Sequence, residues 1–169
     1  MARKERERRY ISEYMVHKWP EGGWQLNVAL GPIPDNLVQQ YGVKAAAALF
    51  RPTRLRVDAV RWSPERYDLI EAKLRNIKDG IGDLLIYQRL APKTPDLPFY
   101  DKQPIHLVLV VPYDVPWIRD ITDANNIEYA VFWQDWVKDY VKERQNYFTA
   151  EYRAARAEKM RLREILDVD

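Results

Sequence analysis

A chain of 169 residues with 47% apolar and 12% aromatic residues can bury the core of one domain, and no apolar run approaches the ~20 residues of a membrane span. The absence of Cys rules out disulfides, thiolate zinc sites, iron–sulfur clusters and cysteine nucleophiles. A net charge of only +2 argues for a local basic patch, not a wholly basic protein, if nucleic acid is bound.

Residues 2–9 alternate basic and acidic side chains and open a helix in which Tyr10, Ile11, Tyr14 and Met15 follow helical spacing. No apolar stretch of leader type lies behind Met1, so the expected location is the cytoplasm, or the host cytoplasm if the chain is phage-encoded. Trp19 to Gly23 stops the helix, and Trp24 to Leu30 alternates as a strand. Asp35 reads as the N-cap of a short helix through Tyr41, with a further helical turn or two from Val43 to Phe50. Two strands follow, about 54–62 and 66–74, joined at Ser63-Pro64-Glu65-Arg66. Ile77 to Leu90 is a helix, with Gly80-Ile81-Gly82 read as a turn near its start. Residues 91–103 form a loop, Pro104 to Val111 a buried strand, Trp117 to Asn126 a short helix, and Ile127 to Trp133 a last strand. Nothing breaks a helix from Gln134 to Leu166. The expected class is α/β: a mixed central sheet with helices on both faces and a long C-terminal helix. Residues 1–133 form the domain and 134–169 its helical extension.

The strand pair at 54–74 carries the chemistry. Tyr67, Leu69, Glu71 and Lys73 share one face of the second strand, and Arg56, Asp58 and Val60 one face of the first. If Trp62 pairs with Tyr67 across the turn, Asp58 sits opposite Glu71. Directly opposite Cβ atoms are ~4.5–5.5 Å apart, and two carboxylates at that range repel unless a cation lies between them. Hard oxygen ligands suit Mg²⁺ or Mn²⁺. Lys73, two residues on, is placed to position an attacking water or offset charge on a phosphate. A charged hairpin of this kind also reads as a solvated face with ion pairs. Against that, Asp58 and Glu71 are embedded in apolar strands, where unpaired carboxylates are costly. A register slip of one residue would put Asp58 on the other face.

The pattern Asp58…Glu71-Ala72-Lys73 resembles the D…(D/E)-x-K signature of the PD-(D/E)xK nuclease superfamily. The order of elements over residues 8–133 is similar to that family's αβββαβ restriction-endonuclease-like core. The resemblance implies a Mg²⁺- or Mn²⁺-dependent DNA endonuclease, with the metal on Asp58, Glu71 and the Ala72 carbonyl and Lys73 beside the water. It further implies a glutamate on the first helix, matched by Glu13, and a polar residue on the helix after the motif, matched by Gln88. Val57 stands where many members have Pro, and the helical insert at 31–53 and the C-terminal helix lie outside the core pattern.

DNA is the implied partner, and small members often pair two sites, which makes a homodimer a candidate assembly. Among the flanking cations, Arg56 and Arg75 are the expected phosphate contacts, with Trp62 and Tyr67 available to stack on an unpaired base. His106 reads as a packed strand residue and His17 as isolated. The competing reading is a nuclease-fold protein that has no catalytic role and serves in DNA binding or phage assembly. A third is an interaction protein acting through its C-terminal helix.

Overall fold

Turn residues and strand alternation account for most element boundaries. The computed structural model describes residues 3–97 and 103–146, with helical positions at Ala154, Ala157, Glu158 and Arg161. The chain divides into two compact units, Met1–Phe132 and Trp133–Asp169. The first unit runs α1 (Arg3–Lys18), β1 (Trp24–Leu30), α2 (Asp35–Phe50), β2 (Leu55–Trp62), β3 (Tyr67–Ala72), α3 (Ile77–Leu90), β4 (Ile105–Val111), α4 (Pro116–Ala124) and β5 (Ile127–Val131). The second unit contains α5 (Asp135–Asn146). It covers the start of the long helix expected from Gln134; most of the remainder, with the apolar positions Tyr147, Phe148, Met160, Leu162, Ile165 and Leu166, lies outside the described residues, as does 98–102 of the loop before β4.

Among the described residues the sheet has five strands, neighbours in chain order. β1, β2 and β3 pair antiparallel, while β3, β4 and β5 pair parallel. Between β2 and β3 the short link permits only antiparallel pairing. Ser63 to Arg66 closes a tight turn, with the Ser63 amide donating to the Arg66 carbonyl at 3.0 Å and the Ser63 hydroxyl accepting from the Arg66 amide at 3.2 Å. Parallel neighbours need a crossover, and α3 and α4 provide them.

Two stripes of apolar residues bind helices to this sheet. On one face Tyr67 and Leu69 pack with Ile81, Leu84 and Tyr87 of α3 and Leu109 of β4. α1 buries Tyr10, Ile11, Tyr14 and Met15, a spacing of three and four that makes one helical stripe. The Tyr10 hydroxyl donates to the Phe132 carbonyl at 2.6 Å. The Arg61 guanidinium, on the strand face opposite Val60, lies over the Trp19 ring at 4.9 Å, so the end of α1 is on the far side of the sheet from α3.

The break expected between Tyr41 and Val43 is present: Gly42 takes φ 75°, which only glycine adopts without strain, and divides the helical segment Asp35–Phe50 at a kink. Two local expectations are corrected. Pro34, not Asp35, occupies the N-cap position, and Asp35 is the first helical residue. Gly80 and Gly82 lie inside α3, not in a turn. Among the described residues no helix is long and apolar enough to cross a membrane.

Candidate active site

The hairpin register is the expected one: Trp62 pairs with Tyr67, Arg61 with Asp68, Val60 with Leu69 and Ala59 with Ile70. One step further along the same register Asp58 faces Glu71. There the regular ladder stops. Asp58 Oδ2 accepts the Ala72 amide at 3.0 Å, a side chain taking the place of a backbone partner. The other edge of β2 is interrupted at the same level. Leu26 pairs with Ala59 and Val28 with Val57, but Asn27 between them adopts φ 55° and drops out of the ladder. Asp58 therefore stands at a gap between strands, with its carboxylate turned inward.

Burial makes this gap electrostatically expensive. Glu71 is 4% exposed. Its Oε1 lies 2.7 Å from Lys73 Nζ, while its Oε2 is buried without a hydrogen-bond partner. Lys73 Nζ also bonds Asp83 Oδ2 of α3 at 2.8 Å. Burial pushes the Asp58 carboxyl up to about 6, against the pull of the Ala72 amide and Lys73. Burial, then the Asp58 charge, pushes Glu71 up to about 8. For Lys73 burial acts against the charged form, but Glu71 and Asp83 outweigh it and the pKa is raised. Lys73 is thus an ammonium at neutral pH, a donor and not a base. The Tyr87 hydroxyl, held above its ordinary range first by burial and then by the nearby carboxylates, donates to the Arg56 carbonyl at 2.9 Å.

A cavity of about 560 Å³ opens onto these groups. Its walls bring together Arg56, Asp58, Glu71, Ala72 and Lys73 of the expected set. Glu13, Gln88 and Arg75 do not line it. Glu13 faces along α1, accepting from Arg9 Nε at 2.7 Å, and the α1 carboxylates at the cavity are Glu5 and Glu7. Gln88 is exposed on α3, which contributes Asp83 instead. Helical spacing held the signal for Glu7, which lies four residues before Ile11 and seven before Tyr14, on the buried stripe. No comparable signal marked Asp83 or Asn27.

No protein-family model, curated protein or solved structure matches this chain.

Much of the expected basic patch is engaged in the structure. Arg54 is buried and forms a two-pronged pair with Asp96 at 3.0 and 2.6 Å. Arg61 and Arg66 hold the fully buried Asp68 at 2.9 and 2.8 Å. His106 is not simply packed, since its Nδ1 meets Asp68 at 2.9 Å. Tyr67 is buried and cannot stack on a base, whereas Trp62 is 38% exposed.

Among the described residues no three His, Asp or Glu side chains gather as a metal site. The donor set at the gap is smaller: the carboxylates of Asp58 and Glu71 and the backbone carbonyl of Ala72, all hard oxygens of the kind Mg²⁺ and Mn²⁺ take. Glu71 Oε2 is a buried carboxyl oxygen with no hydrogen-bond partner, so these residues fit such a cation once Glu71 gives up its proton.

Proposed function

We propose that this chain is a divalent-metal-dependent nuclease, an endonuclease hydrolysing DNA phosphodiester bonds on a restriction-endonuclease-like core. The observation that carries the reading is the buried, unpartnered Glu71 Oε2, one register step past the paired hairpin, facing Asp58 and beside the Lys73 ammonium. The order α1, β1, β2, β3, α3, β4, antiparallel up to β3 and parallel after it, supports the core assignment. The departure is α2, inserted between β1 and β2.

Asp58, Glu71 and the Ala72 carbonyl would hold the metal. When bound, a divalent cation supplies Lewis-acid stabilisation of the charge that builds on a phosphate under attack by water. Lys73 is fixed between Glu71 and Asp83, so its charge is aimed before substrate arrives and needs little reorganisation. It orients the attacking water and donates to a non-bridging oxygen. Arg56, on the cavity rim, takes an adjacent phosphate. Glu5 and Glu7 add negative charge at the opening.

The test incubates purified protein with supercoiled, linear, single-stranded and four-way-junction DNA in Mg²⁺, Mn²⁺ or EDTA. Cutting is expected with either metal and not in EDTA, with a loss of about 10²–10³-fold in Lys73→Ala. Cutting that ignores EDTA or the Lys73 substitution sinks the reading. No cutting of any substrate favours the non-catalytic DNA-binding or phage-assembly alternative.

A further inference from the structure

A second cavity, of about 480 Å³, lies on the other side of Asn27, between β1, α2 and the segment at Asp96 and Leu97. Its charge is the reverse of the first. Lys44, Arg51 and Arg54 line it against the single carboxylate of Asp96, and Arg54 already neutralises that carboxylate. The Arg54 Nε is buried with no hydrogen-bond partner. The cavity around Asp58, by contrast, holds Glu5, Glu7, Asp58 and Glu71 against Arg8, Arg56 and Lys73. One cavity calls for a cation and the other for an anion, and Asn27 is a wall of both. Between the cationic groups the basic cavity has an apolar floor that includes Val28 and Val60, and the half-exposed Trp62 indole at its side. A cavity of this size and mixed lining fits a small organic ligand. An anionic group, a flat π-face partner and polar amide contacts from Gln25 and Asn27 together describe a nucleotide.

We propose that this cavity is a subsite for one unpaired nucleotide of the strand whose neighbouring phosphodiester lies at Asp58 and Glu71. Lys44 and Arg51 take its phosphate, Trp62 stacks on its base, and Asn27 separates the two units. The insert at 31–53, which stands outside the core pattern, then has a purpose: it supplies Lys44 from α2 and Arg51 just after it. The inference rests on the nuclease reading for the identity of the neighbouring site, and names single-stranded or flapped DNA as the substrate class.

Binding can be measured apart from cutting. The full chain is titrated in EDTA with a fluorescein-labelled oligodeoxythymidylate of about ten nucleotides, and with a duplex of equal length, by anisotropy over a range of salt. Lys44→Glu with Arg51→Glu, both exposed and so able to fold, should weaken single-strand binding at least tenfold. The milder Lys44→Ala with Arg51→Ala should lower the salt slope by about 0.7, as for the one phosphate the two side chains neutralise on a single strand. Trp62→Ala should weaken the single strand about tenfold and the duplex little. No binding by the parent chain, or binding indifferent to both charge pairs, overturns the subsite even if the protein cuts DNA. Equal losses for duplex and single strand in Trp62→Ala overturn the unpaired-base assignment. Charge- and Trp62-dependent binding without metal-dependent cutting upholds the subsite and sinks the nuclease reading alone.

Discussion

Both oxygens of Glu71 are withdrawn from water, yet only one has a partner, the Lys73 ammonium at 2.7 Å. Asp58 shares the low-dielectric gap, and the pair resists full ionisation. The consequence for stability has a definite sign. Asp58 is raised from 3.8 to about 6 and Glu71 from 4.5 to about 8, so the folded state holds protons that the unfolded chain has released. Stability from this pair is therefore complete below about pH 4 and declines as pH rises through about 6 and then about 8. Metal-free protein should melt at lower temperature at pH 8.5 than at pH 5.5, counting this pair alone. Mg²⁺ should restore most of the loss at pH 8.5 and little at pH 5.5. Thermal melts with and without Mg²⁺ at the two pH values read this, and a metal shift that does not grow with pH would count against a cation between Asp58 and Glu71. Glu71→Gln should abolish cutting, flatten the pH dependence above pH 6, and remove the Mg²⁺ shift. Retention of a full Mg²⁺ shift in that variant would place the cation elsewhere.

At the scale of elements, α3 is what sets Lys73 in place. It approaches β3 and β4 so closely that a Cβ on Gly80 would lie 2.6 Å from a Leu109 methyl and 3.1 Å from Lys73 Cγ. Gly82, two residues on, has open space where its Cβ would be. The pair makes an internal control. Gly80→Ala should destabilise by about 1–3 kcal/mol through overpacking and displace Lys73, with a fall in cutting rate larger than its fall in stability explains. Gly82→Ala should stabilise by up to about 1 kcal/mol through helix propensity and leave cutting unchanged. Denaturant melts and single-turnover cutting at one temperature compare the two. Equal cutting rates in both variants would mean that the α3 contact does not position Lys73.

For the whole molecule, every group assigned to either cavity belongs to Met1–Phe132. A chain ending after residue 146 should keep the metal-dependent cutting and the Mg²⁺ melting shift of the full chain within about twofold, a difference of under half a kcal/mol. Loss of cutting with an intact melt would assign residues 147–169 a part in catalysis. Mass in solution, measured on the same two proteins, tests the homodimer: a mass that halves on truncation assigns pairing to the tail, and an unchanged oligomer removes that role from it.

The hairpin was legible because its determinants are local. A short turn at Ser63 to Arg66 and period-two alternation are enough to pair Trp62 with Tyr67 and carry the register toward Asp58 and Glu71. The same locality fixed the bounds of β1 and α3, which match the alternating and helical patterns. What the sequence alone could not determine depends on how separate elements are rotated and pressed together. Glu7 and not Glu13 faces the cavity because the stripe that buries Tyr10, Ile11 and Tyr14 sets the roll of α1. Asp83 and not Gln88 meets Lys73 because α3 docks through Gly80. Asn27 drops out of the β1–β2 ladder and lines two cavities of opposite charge. Side chains near in sequence constrain one another through backbone geometry, whereas those brought together from α1, β1, β3 and α3 are related only by packing, and only the tertiary structure settles where their charges meet.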